Sequence, residues 1–235
     1  MAVPGRLTLA GGGAYTQSGG NRAIRRTNIF REDLMILIGG YQSPFVRRVA
    51  ISLRLLDIPF DHKPLRASME PEKVRAYNPL GRIPALELDD GFILIDSAAI
   101  LDYLDEVAGP EKALVPPSGA ARREVLRAVM LAMGAMEKMI AAFVESRVRP
   151  EETRHRPLLD RFIGQALAGF DALEAAAGDG WLCCGRLTQA DVTVVAALGF
   201  LRQIEPGAAP DGRFPRLEAL ARRAEALPAF VQSRP

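Results

Sequence analysis

Hydrophobic positions follow two regimes along this chain, short continuous runs first and long helical periods after. Met35-Ile36-Leu37-Ile38 is an apolar run closed by Gly39-Gly40, as expected of a buried strand. Ser43-Pro44 then opens a helix, since proline suits the first helical position and a serine before it can cap free N–H groups. Val46, Val49, Ala50, Leu53 and Leu56 recur on one face of that helix, and Asp57 with Pro59 ends it. Phe60 to Leu65 reads as a second strand, Glu70 to Tyr77 as a short helix and Asn78-Pro79-Leu80-Gly81 as a turn. The runs from Pro84 to Leu88 and from Phe92 to Ile95 make a hairpin about Asp90-Gly91, and Asp96-Ser97 opens a helix reaching about Val107.

The order β-α-β-α-β-β-α is that of a small mixed sheet of thioredoxin-like type, expected over residues 35–108. Pro110, Pro116 and Pro117 between Gly109 and Gly119 mark residues 109–119 as an inter-domain linker. Residues 120–235 read as helical throughout: Ala121 to Arg147, Leu158 to Ala177, the very apolar Thr188 to Leu201, and Arg216 to Ala226 before Pro228. The expected fold class is therefore an α/β domain followed by an all-helical bundle. Residues 1–34 hold Gly11-Gly12-Gly13 and Gly19-Gly20 and no sustained apolar period. They are expected to be a disordered extension, or to lie upstream of the natural start, with Met35 directly before the first strand.

Composition narrows the function classes. With 235 residues, 49% hydrophobic and 25% charged, the chain has ample material for a core and is neither disordered nor collagen-like. The net charge of +2 comes from the first 34 residues, where five arginines face Glu32 and Asp33. The remainder is nearly neutral, which gives no electrostatic reason to expect nucleic acid as a partner. The longest apolar stretch, Val192 to Leu201, is far short of the roughly 20 residues that span a bilayer, so no membrane partner is expected. Two cysteines make no disulfide framework and point to a reducing, cytoplasmic setting.

Three stretches carry candidate chemistry. Ser43, at a helix N-terminus, lies where free N–H groups and the macrodipole favour an anion, so its hydroxyl is placed to hold a bound thiolate. Taken alone, the stretch favours a plain N-cap. Ile83-Pro84 follows a turn and enters a strand; a trans edge proline or a cis bond both fit, and the cis form would turn the Ile83 backbone towards a peptide ligand. Asp96-Ser97 sets an acid beside a helix N-terminus, which suits the ammonium and carboxylate of an amino-acid head group, or again a plain cap. Met130, Met133, Met136 and Met139 recur along the first helix of the second domain, either as a pliable apolar wall or as core and dimer packing. Cys183-Cys184 has neither redox nor zinc spacing, and His62 and His155 are isolated, so no metal site is expected.

Together, Ser-Pro-Phe at 43–45, Asn-Pro-Leu-Gly-Arg-Ile-Pro-Ala-Leu at 78–86 and Asp-Ser-Ala-Ala-Ile-Leu-Asp-Tyr-Leu at 96–104 resemble the cytosolic glutathione transferase superfamily. Thr188-Gln189-Ala190-Asp191, a capping-box variant before an apolar helix, agrees with that superfamily's second domain. The resemblance covers residues 35–235. It implies that Ser43 matches the activating serine of the zeta- and theta-like classes and that Ile83, before a cis Pro84, pairs with the cysteinyl part of glutathione. It further implies that Asp96 and Ser97 hold the γ-glutamyl end. The implied activity is transfer of glutathione, as co-substrate, to a small hydrophobic electrophile. That electrophile is expected near Met130 and Met133, in a homodimer. The rivals are a glutathione-dependent isomerase, although the Ser-Ser-Cys run typical of the zeta-type enzymes is missing, and a non-catalytic interaction protein on the same fold.

Overall fold

The computed structural model describes residues 34–235; the expectation for the leader lies, save for its last residue, outside the described residues. Strand β1 (Met35–Ile38) forms the middle of a four-stranded sheet of order β2-β1-β3-β4, with β2 at Phe60–Lys63, β3 at Ala85–Glu87 and β4 at Ile93–Ile95. β2 runs parallel to β1, Met35 opposite Phe60, while β3 is antiparallel to both β1 and β4. Helices α1 (Pro44–Leu55), α2 (Pro71–Arg75) and α3 (Ser97–Ala108) complete the expected β-α-β-α-β-β-α order.

The second part is helical: α4 (Gly119–Phe143), α5 (Arg156–Ala176), α6 (Gln189–Ile204), α7 (Pro215–Glu225) and a short α8 (Pro228–Val231) that the periodicity did not predict. The expected single helix over 121–147 instead changes to a π-helical turn at Val144–Val148. There Glu145 is buried, accepts the His155 N–H at 2.6 Å and pairs with Arg149, so the widened turn brings a carboxylate to the next segment. The 109–119 segment is tied down: the Asp105 carboxylate accepts the N–H groups of Leu114 and Val115, and Leu114 O accepts from Gln189. Among the described residues no helix is long and apolar enough to cross a membrane.

Helix α1 belongs to two cores at once. Val46, Val49, Ala50 and Leu53 pack with Leu37, Leu86 and Ile100 of the first domain. Phe45 and Ile51, on the opposite face, join the core of the helical domain with Met136, Phe170 and Leu198. This double use fixes α1, and the residues at its N-terminus, relative to both parts of the molecule.

Candidate functional site

Ser43 occupies the N-cap of α1 in extended conformation, and its side chain makes no capping hydrogen bond. Its backbone does the capping work, Ser43 O accepting from Arg47 at 2.9 Å. Pro44 at the first helical position has no N–H to offer. The N–H groups of Phe45 and Val46 find no acceptor among the described residues. A half-buried hydroxyl with no structural duty thus sits beside orphan helix-terminal donors, an arrangement that favours an anion.

The Ile83-Pro84 bond is cis. Neither the N–H nor the C=O of Ile83 has a hydrogen-bond partner among the described residues, because the ladder with β1 begins at Ala85. Asn78, buried, presents this segment: its Nδ2 donates to Arg82 O at 2.9 Å and its Oδ1 accepts from Leu80 N at 3.0 Å. Gly39 lets the segment approach α1. It lies at φ +129°, and a Cβ there would stand 2.5 Å from Val46 Cγ2 and 3.0 Å from Ile83 Cβ.

Asp96 caps α3, its Oδ1 accepting from Ala98 N at 2.9 Å, and holds φ +70°, a left-handed conformation unusual for a non-glycine residue. Ser97 is buried and its Oγ has no partner. Ile83, Pro84, Asp96 and Ser97 line one cleft with Phe45, Asn78, Leu80, Arg82 and Ile95. Ser43 stands just outside this lining, two residues before Phe45, while its neighbours Gln42 and Pro44 border a second cavity of about 360 Å³ against α6. Backbone groups for a peptide, an acid for an ammonium and an orphan hydroxyl together suit an extended γ-glutamyl peptide, so the residues present fit glutathione.

The methionines divide. Met136 and Met139 are buried in the helical core, Met130 is exposed, and the Met133 thioether receives Nη1 of the buried Arg48. Neither Met130 nor Met133 lines the cleft. Burial pushes the Cys183 thiol up to about 11, helped by the nearby Asp191 charge, so it stays protonated and inert at neutral pH. Phe45, Asn78 and Arg82 also line the cleft and were not singled out as site residues, although each lies within a stretch that carried the resemblance. Arg82, which lines the cleft, pairs with Glu137 of α4 at 3.2 Å.

A thioredoxin-like sheet carrying this cleft, followed by a helical bundle, defines a two-domain glutathione-transferase-type fold. Family models agree: the glutathione S-transferase N-terminal domain matches residues 37–112 and the C-terminal domain residues 156–223. A maleylacetoacetate isomerase from Pseudomonas aeruginosa is 34% identical, over 83% of this chain and 93% of its own length. A glutathione S-transferase from Methylobacterium radiotolerans, solved in complex with glutathione sulfonate, superposes with a TM-score of 0.79 at 30% identity, covering 86% of this chain and 94% of that one. Another, from Methylobacillus flagellatus with glutathione bound, gives 0.79 at 27% identity, covering 86% and 99%. The chain belongs to the glutathione S-transferase family.

Proposed function

We propose that this protein is a glutathione-dependent transferase in which Ser43 and the N-terminus of α1 stabilise the glutathione thiolate for attack on a small hydrophobic electrophile. The observation that carries this reading is the free Ser43 hydroxyl, uncommitted to capping and set beside orphan N–H groups. Glutathione would lie extended along the cleft. The Ile83 backbone would pair with its cysteinyl residue, and Asp96 with Ser97 would hold its γ-glutamyl end. Preorganised donors at a developing anion, together with proximity, supply the acceleration without a covalent enzyme intermediate.

The electrophile would approach along α4. Met130, Met133, Ile140 and Val144 share the helix face that Glu137 turns towards Arg82, and Met130, Ile140 and Val144 expose apolar surface there. Exposed Leu80, Phe92 and Leu126 support a homodimer. A cytoplasmic setting is part of the proposal, in keeping with two cysteines that are both free.

A second reading, a glutathione-dependent isomerase, is favoured by the Pseudomonas aeruginosa relative. It begins from the same thiolate but regenerates glutathione. Titration calorimetry of the full chain with glutathione, followed by turnover with an aryl halide, tests the proposal. Saturable binding and loss of free thiol with product formation are expected. Absence of binding at millimolar glutathione would overturn both readings, and turnover of an unsaturated dicarbonyl acid without thiol consumption would favour the isomerase.

A further inference from the structure

Two neighbouring arginines of α1 are equally withdrawn from solvent, and their surroundings are opposite. Arg47 has a counter-charge: Nη2 meets Glu225 Oε1 at 2.6 Å and Nε donates to Ser233 O at 3.1 Å. Arg48 is 2% exposed and joins no ion pair among the described residues. Its Nη1 has only the Met133 thioether, a weak acceptor, and its Nε has no acceptor at all. Burying an unanswered cation is unfavourable, and a counter-charge brought near it offsets that cost.

The surroundings say where that counter-charge belongs. Burial lowers the Arg48 guanidinium to about 10, opposed by attraction to Asp96, so it remains a cation at neutral pH within the field of the residue that caps α3 in the cleft. Phe45, one turn earlier on α1, lines that cleft. Among the described residues three buried side-chain polar atoms lack partners: Arg48 Nε, Ser97 Oγ and Arg202 Nε. Arg202 is otherwise paired with Glu218. The other two belong to α1 and to the first residue of α3, the helices that form the cleft wall.

We propose that Arg48 is a positioning residue for ligand charge. Buried on α1, the helix that contributes Phe45 to the cleft, its guanidinium supplies the positive potential that selects the α-carboxylate at the γ-glutamyl end of bound glutathione, while Asp96 takes the adjacent ammonium. The inference rests on the glutathione-binding reading and adds a second source of positive charge, since Arg82, the cation that lines the cleft, is paired with Glu137.

The test is a ligand–protein cycle on the full chain. Glutathione and an analogue whose γ-glutamyl α-carboxylate is an amide are titrated into the wild type, Arg48→Met and Arg48→Lys, with thermal melts confirming folding. If the wild type binds neither ligand, the functional reading fails and the cycle is not reached. If it binds glutathione, Arg48→Met is expected to weaken glutathione about tenfold while changing the amide analogue less than twofold, and Arg48→Lys to preserve the wild-type preference. Equal loss for both ligands, or no loss, overturns the assignment. Arg48→Gln makes the same comparison should the methionine variant not fold.

Discussion

Ser43 is chemically available because its neighbours do the structural work. Pro44 opens the helix and the Ser43 carbonyl closes its first turn, so the hydroxyl is not spent on capping. This was half legible in the sequence: the Ser-Pro spacing announces a helix start, but whether the hydroxyl spends itself on capping depends on torsions that only the fold sets. Ile83, Asp96 and Ser97 stood out in the sequence because their signals are local to a turn and a cap, and the structure brings them to one cleft. Arg48 did not, since the one hydrogen-bond partner of its guanidinium among the described residues, Met133, lies 85 residues away on another element. Three tests belong at this scale. Asp96→Asn is expected to keep the fold and its left-handed cap while weakening glutathione binding about tenfold in calorimetry, because the proposed partner for the ligand ammonium loses its charge. Gly39→Ala is expected to lower the denaturant midpoint by an amount equivalent to more than about 1 kcal/mol, as the added methyl meets Val46 and Ile83. A thiol reagent should modify one cysteine in the native protein, exposed Cys184, and two only after denaturation, because Cys183 is buried and held neutral.

At the scale of elements, α6 shows a local rule obeyed in full. Thr188 caps it and accepts from Ala190 N, while the Asp191 carboxylate accepts the Thr188 N–H at 2.8 Å, the expected capping box. Asp191 does one thing the motif does not announce: it also accepts the Leu182 N–H at 2.8 Å, tying the preceding loop to the helix. Replacing Asp191 by Ala should therefore cost about 2–3 kcal/mol in denaturant unfolding, more than an exposed cap, because buried donors lose their acceptor. Helix boundaries elsewhere were less legible. The end of α4 and the start of α8 depend on the buried Glu145 and on Phe230 reaching the core, contacts made between elements. Periodicity reports which face of a helix is apolar and says little about where a neighbour ends it.

For the whole molecule, α1 is the shared part. It belongs to the core under the sheet and to the core of the bundle, and Ser52 Oγ lies 2.9 Å from Gln189 Oε1 across the boundary. The sequence suggested a linker between the domains, but neither composition nor spacing could show that one helix would belong to both cores. Unfolding followed by far-ultraviolet dichroism and by fluorescence of Trp181, which lies in the helical domain, should accordingly give coincident transitions. Separate transitions would mean that the domains unfold independently. The central claim concerns the thiolate. Thiolate absorbance of bound glutathione, titrated against pH in the wild type and in Ser43→Ala, tests it most directly. The wild type is predicted to hold the bound thiol below the ordinary value of about 8.5, and the variant to bind glutathione with the thiol returned upward by about one unit. An identical titration in both proteins would contradict the role given to Ser43.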